Sequence, residues 1–297
     1  MSVRTNELQK ITDVTSADSF IIDSETEGTA RLTLEAATEF LRGSFMSNGV
    51  GGVPYGKELS ESWADLSARI KKGNFDGIHI GDYKTINLTT NEQVVMEVAG
   101  IDQYYNCGDT AIGHHVDFIS RDALKGAKQW NTEANNNSKV EATKSPWLTS
   151  ALYKALNETV YGTLPADLKP YIIEKRALLE ERYSAAGSAT ADTGWSWQNA
   201  GKLWLPTEVE VFGCVHWSNA GFGSGGGGCN LQYPIFIGGS KHLIKGDGKG
   251  GSRCPWWELS VHSGSATDVC CVTSNGTATT SSAANTNIRA PLCFRIG

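Results

Sequence analysis

Apolar residues fall along this chain in runs whose period changes, and each change marks an element. Ser60-Glu61-Ser62-Trp63 opens a helix on which Trp63, Leu66 and Ile70 recur at i, i+3 and i+7 as one buried face, with Gly73 as its stop. Ile78, Ile80, Tyr83 and Ile86 then read as a strand, continued after a turn from Val94 to Val98, and His115 to Ile119 reads as another. Two helices are predicted next. The first starts at Pro146-Trp147 and carries Leu148, Leu152, Leu156 and Val160 on one face. The second has Pro165 near its N-terminus and carries Leu168, Ile172, Leu179 and Tyr183. After about Ala185 the helical period ends, and turns, short strands and a long Gly-rich loop (218–228) follow. Two helices between early strands and a loop-rich C-terminal strand region make the class α+β.

Residues 1–45 read as a separate small unit. Ser19 to Asp23 is a predicted strand, Glu25 to Gly28 a turn, and Ala30 to Leu34 a second strand. Thr33 then caps a helix reaching Leu41, with Leu34, Ala37, Phe40 and Leu41 apolar. So short a unit buries little core alone. It is either a small packed arm or a module for oligomerisation or particle attachment, and its order of elements resembles N-terminal segments of phage tail and head fibre proteins. Residues 43–57 are Gly-rich with one Pro and read as linker. The expected units are an arm at 1–45, a linker at 46–60 and a display domain at 61–297.

Composition narrows the function classes. A charged fraction of 20% with 40% hydrophobic residues describes an ordinary folded domain, and 33 Gly against 8 Pro points to much irregular loop. The net charge is -6 with no basic stripe, so nucleic acid and anionic membrane are poor partners. The opening MSVRTNELQKITDV has no apolar h-region, and no apolar run approaches the ~20 residues of a membrane span. Neither a secretory signal nor membrane insertion is expected. Seven Cys, an odd number without CxxC spacing, argue against a disulfide framework and a structural zinc site.

The C-terminal third carries the most information. It contains Lys202-Leu203-Trp204-Leu205-Pro206-Thr207-Glu208-Val209-Glu210-Val211-Phe212-Gly213, then Trp256-Trp257-Glu258-Leu259-Ser260, Val269-Cys270-Cys271-Val272, Asn275-Gly276, and Ile288-Arg289-Ala290-Pro291-Leu292-Cys293-Phe294-Arg295-Ile296. In this order the motifs resemble the C-type-lectin-like (formylglycine-generating-enzyme-like) domains of phage and bacterial proteins. The match is loose over 61–297 and good over 202–297. The final 45 or so residues, about 252–297, resemble the variable regions of diversity-generating retroelement targets such as phage tropism proteins. The resemblance implies that the final strand pairs back into a sheet with both Trp packed beneath it. Asn275-Gly276 is itself a strong hairpin signal.

Around these scaffold residues (Trp256, Trp257, Asn275, Gly276) lie Cys254, His262, Ser263, Ser265, Asp268, Cys271, Thr273, Thr277, Thr279, Thr280, Ser281 and Ser282. Each is reached from an Asn codon by changing adenine in its first two bases, the pattern that the resemblance implies for a diversified ligand-binding surface. The other reading is a Ser/Thr-rich surface hairpin, since Thr favours strands and Ser favours turns. Period-2 alternation points Cys271 outward, opposite to Cys270. The set is small and polar, suited to a hydrogen-bonding ligand such as a glycan, or to a weak protein contact tightened by multivalency. His216, Trp217 and Phe222 are candidates for an aromatic rim. Swapping Thr273, Thr277 and Thr279 is expected to change ligand choice and leave stability nearly unchanged.

Three constellations invite an enzymatic reading. Cys107-Gly108-Asp109 with His114, His115 and Asp117 brings together metal-type residues, but a strand puts His114 on the face opposite to the other two. A hydrogen-bonded core His and a Cys packed as a small hydrophobe are expected there. Cys270, Cys271 and Cys293 are the cysteines that a formylglycine-generating-type oxidase would use, yet no Lys or Arg lies between Trp256 and Asn287 to activate a thiol. Glu208 and Glu210 are too close in sequence to form a glycosidase pair.

The expectation is therefore a non-enzymatic binding protein without cofactor or metal, located in a phage particle and made in the bacterial cytoplasm. Its expected partners are a host cell-surface protein or glycan and, through the arm, other virion proteins. A homotrimer is expected. The alternatives are a structural decoration protein of the virion, a formylglycine-generating-type oxidase or a metal-dependent enzyme.

Overall fold

A computed structural model describes residues 19–24, 28–33, 56–187, 193–219, 231–237 and 241–297. In the N-terminal unit, β1 (Ser19–Ser24) and β2 (Gly28–Thr33) pair antiparallel from Ser19↔Thr33 to Ser24↔Gly28. The helix expected to end at Leu41 lies outside the described residues. From Gly56 the chain already belongs to the larger unit. Gly56 donates its N–H to Gly81 O, Glu58 bridges Tyr83, and Leu59 is buried.

The first helix, α1 (Trp63–Ile70), forms as its spacing predicts. The Ser62 side chain accepts the Asp65 N–H as its cap, and Trp63, Leu66 and Ile70 are buried. Trp63 meets Phe118 and Phe294 edge-on, at 5.7 and 5.9 Å between ring centroids. Those two phenylalanines sit on neighbouring strands of the main sheet. It comprises β3 (Tyr83–Asn87), β4 (Gln93–Ile101), β5 (Val116–Ala123), β6 (Ile172–Ile173) and a strand from the far end of the chain, Pro291–Ile296. The last of these lies between β5 and β6, and every pairing is antiparallel.

The two predicted helices turn out differently. The first is broken. α2 (Pro146–Thr149) ends at Ser150, whose extended backbone and side chain cap α3 (Ala151–Lys154); the path then widens into π-helical turns over Ala155–Val160 and closes in α4 (Tyr161–Thr163). Leu152, Leu156 and Val160 are buried as expected. The second does not form. After a short 3-10 turn, Lys169–Tyr171, the chain runs through β6 into β7 (Arg176–Arg182), which pairs with β8 (Thr193–Asn199). Ala177, Leu178, Leu179 and Glu180 are buried in succession, so both sides of β7 are covered, whereas a helix would bury one stripe.

A short helix missed by the periodicity, α5 (Glu208–Phe212), has a full capping box. Thr207 accepts the Glu210 N–H, Glu210 accepts the Thr207 N–H, and Gly213 at φ 77° ends the helix. β9 (Lys245–Gly246) and β10 (Arg253–Cys254) form a small pair. β11 (Trp256–Val261), β12 (Asp268–Val272) and β13 (Ala278–Ser282) form a three-stranded antiparallel sheet with β12 in the middle, and β14 (Pro291–Ile296) is the strand already placed in the main sheet. The architecture is α+β, with few helices and mostly antiparallel strands. Among the described residues, no helix is long and apolar enough to cross a membrane.

Two buried ion pairs tie the units of the core together. Arg295 donates to both carboxylate oxygens of Asp117 at 2.7 and 2.8 Å, and the Tyr233 hydroxyl adds a bond of 2.8 Å. Lys175 donates to Glu210 at 2.5 Å, with its ammonium 4.0 Å from the centre of the Trp204 ring.

Candidate ligand-binding surface

The register of β11, β12 and β13 decides which candidate side chains share a face. Trp257 pairs with Cys271 and Cys271 with Thr279, so these project together, with Val269 and Ser281 alongside. Cys270 and Thr280, and Asp268 and Ser282, project to the opposite side. On β12, Val269 to Val272 are all buried. On the edge strand β13, every side chain is half-buried. The polar candidates thus stand on a strand that is backed by a closed core.

Cys271 does not point outward. It is 1% exposed and packs in the core, and burial pushes its thiol up to about 12. Alternation correctly puts Cys270 and Cys271 on opposite sides, but both sides of β12 are covered. Cys254 is also buried, on β10, with its thiol donating to Gly246 O at 3.3 Å and its pKa raised by burial to about 11. Neither cysteine belongs to the exposed face.

The remaining candidates fall at the two ends of the β12–β13 hairpin and along its edge. At one end, Gly276 donates its N–H to Thr273 O and takes φ 83°, closing a turn in which Asn275 is exposed. Thr273 has a structural part here, since its hydroxyl accepts from the amides of Asn275 and Thr277 and lies 2.8 Å from the Thr277 hydroxyl. At the other end lie His262, Ser263, Ser265 and Asp268. Arg182 donates to the carbonyls of His262 and Ser265, each at 2.6 Å, and the Asn136 amide donates to Ser265 O at 2.8 Å and Asp268 O at 2.5 Å. These bonds hold the loop from beneath. Along β13, Ser281 accepts from Asn285, while Thr279, Thr280 and Ser282 present hydroxyls that bond to no other described side chain.

Beside the 262–265 loop is a narrow cleft that sequence reasoning missed. Trp147, Trp195, Val261, Ser260, Asn219 and Glu180 help to line it. Burial raises the Glu180 carboxyl, partly offset by a hydrogen bond from Asn219. Its walls come from several segments distant in sequence, so no local pattern announces it. Trp217, on the rim, is exposed and meets His262 edge-on at 5.5 Å. Phe222 lies outside the described residues.

The metal-type residues near Cys107 diverge. His114 bonds to Asp102 at 2.7 Å and stacks on Tyr105. His115 is fully buried with its ring nitrogens at Gly113 O and Gln103 O, 2.8 and 2.7 Å away, and Asp117 is taken by Arg295. Cys107 is not packed as a free thiol: it is disulfide-bonded, which also corrects the inference from an odd cysteine count. The carboxylates of Glu208 and Glu210 serve the fold. Glu210 holds Lys175 and the helix cap, and Glu208 accepts the N–H groups of His216, Trp217 and Ser218. The thiols of Cys270, Cys271 and Cys293 are all raised, by burial above all.

No curated protein and no solved structure matches the chain. Residues 115–296, more than half of its length, match a domain of unknown function, DUF6273, and span everything from β5 to β14. The chain belongs to the DUF6273 family.

Proposed function

We propose that this is a non-enzymatic ligand-binding protein with a C-type-lectin-like domain that displays the β13 edge, the 273–277 turn and the 262–268 loop to a host ligand. The observation that carries this reading is the contrast between β12, buried from Val269 to Val272, and β13, half-buried at all five positions with three hydroxyls unengaged by described side chains. Binding residues tend to sit on irregular or edge segments held by a rigid frame, and Arg182 and Asn136 supply such a frame here. Unengaged hydroxyls along an edge strand suit a polyhydroxylated ligand such as a glycan. The phage setting, the attachment role of the N-terminal hairpin and the trimeric state rest on the resemblance of the motifs to phage tropism proteins.

The test is to read the DNA around the gene and to measure binding of the full chain to host cells and immobilised glycans. A near-copy of codons 252–297 beside a reverse transcriptase, differing only at adenines, supports a diversified surface. Absence of the copy with retained binding leaves a fixed lectin-like module. Absence of both leaves a structural component of the particle.

A further inference from the structure

Beneath the three-stranded sheet, on the Cys270 side of β12, lies a buried group that the ligand-binding reading does not use. Glu258 follows Trp257 on β11 and Cys270 precedes Cys271 on β12, so both side chains project from the side opposite to the Trp257–Cys271 pair. Glu208, the first residue of α5, comes down on the same side, with its own N–H donating to Ser260 at 3.0 Å. One carboxylate oxygen from each glutamate and the Cys270 sulfur lie within 4.8 Å of one another.

Glu258 makes this more than a cluster of acids. It is 0% exposed, and neither carboxylate oxygen has a hydrogen-bond partner. Buried carboxyl groups are nearly always paired, hydrogen-bonded or bound to a metal. Glu208 is prepared differently. Its Oε2 accepts from the N–H groups of His216, Trp217 and Ser218 and from the Ser218 hydroxyl, whereas its Oε1 accepts only from Trp217, at 3.1 Å. That oxygen keeps a lone pair to offer.

We propose that Glu208, Glu258 and Cys270 form a binding site for one divalent transition-metal cation of the zinc type. The donor set selects the class. Calcium and magnesium take oxygen ligands in larger number, whereas zinc accepts thiolate and carboxylate together and is often held by three protein ligands. Metal–ligand bonds of about 2.0–2.3 Å place tetrahedral ligand atoms about 3.3–3.8 Å apart. The three atoms therefore need to close by about 1 Å, within reach of carboxyl rotation. As the cation enters, the Glu258 carboxyl and the Cys270 thiol each release a proton, so two positive charges replace two protons and the net charge of the buried site is unchanged. The thiol is fully buried, with Thr280 of β13 as its cross-strand neighbour, and bonds to no described group.

The site stands or falls apart from the ligand-binding reading. The full chain, stripped with chelator, is titrated with Zn²⁺ and separately with Co²⁺. One equivalent of each is expected to bind, with a rise in Tm and, for cobalt, a near-ultraviolet thiolate-to-metal band. Cys270→Ser should abolish the band, and Glu258→Gln should weaken zinc binding by at least about ten-fold. Should C270S fail to fold, the wild-type cobalt band and the E258Q affinity still decide. Folded wild type that takes up no metal, or variants that bind with undiminished affinity, would overturn the proposal.

Discussion

Arg182, at the end of β7, donates to the backbone carbonyl of His262 at 2.6 Å, across 80 positions of sequence. Its other terminal nitrogen reaches Ser265 O, so one buried guanidinium sets the path of the 262–265 loop. Arg182→Met is expected to cost about 3 kcal/mol in urea unfolding, because two part-buried carbonyls lose a charged donor. Amide exchange over 262–268 should rise more than elsewhere. An equal rise across the whole sheet would show general destabilisation and no special hold on the loop.

Trp257 is fully buried and donates its indole N–H to Lys128 O at 2.7 Å. Trp257→Ala should cost roughly 3–5 kcal/mol, from lost burial and the cavity left behind. Chemical denaturation measures it; a cost under 1 kcal/mol would mean that the neighbouring chain closes over the gap.

The expected triple swap at Thr273, Thr277 and Thr279 needs adjusting, because Thr273 organises the turn. Alanine at Thr279, Thr280 and Ser282 should change ligand binding and shift Tm by little, since surface substitutions typically fall within about 0.5 kcal/mol. A large drop in Tm would place these hydroxyls in the fold.

Asp117 and Glu258 give opposite dependences on pH. Burial alone would raise the Asp117 carboxyl, but the Arg295 guanidinium outweighs it and holds the group below its usual range. A depressed folded value contributes stability above the unfolded value of about 3.9, lost as pH falls through the folded one. Asp117→Asn should therefore destabilise at pH 7 and lose that effect in acid.

Glu258 is held well above the usual carboxylate range, by burial first and then by the nearby Glu208 charge. Its folded value is raised, so its favourable contribution is complete below the unfolded value of about 4.3 and disappears as pH rises. In the metal-free protein, Glu258→Leu should stabilise at pH 7 by about 1–3 kcal/mol. The gain should shrink below pH ~4, as thermal melts across pH would show.

How much of this was legible beforehand differs by element. Trp63, Leu66 and Ile70 mark their helix because one face is buried and the other is wet. Arg176–Arg182 misleads because Ala, Leu, Glu and Arg favour helices locally, and pairing with β8 overrides that preference. The Thr207–Glu210 box and Gly213 are a local signal for α5, but five residues are too few to show an apolar period. Cys271 shows a limit of alternation. Period 2 assigns a side chain to a face and cannot tell whether that face is covered. Glu258 had no signal at all, since a charged residue after two tryptophans reads as surface.

The place of β14 bears on how the molecule is made. Arg295 and Asp117 are 178 positions apart, yet their strands are neighbours in the main sheet. During synthesis the edge of β5 stays without this partner until residue 296 has emerged. Closure of the sheet is then a late and non-local event, slow by the measure of contact order. Over that interval the nascent chain presents an unpaired strand edge to its neighbours on the same messenger, and chaperone capture there would protect the yield.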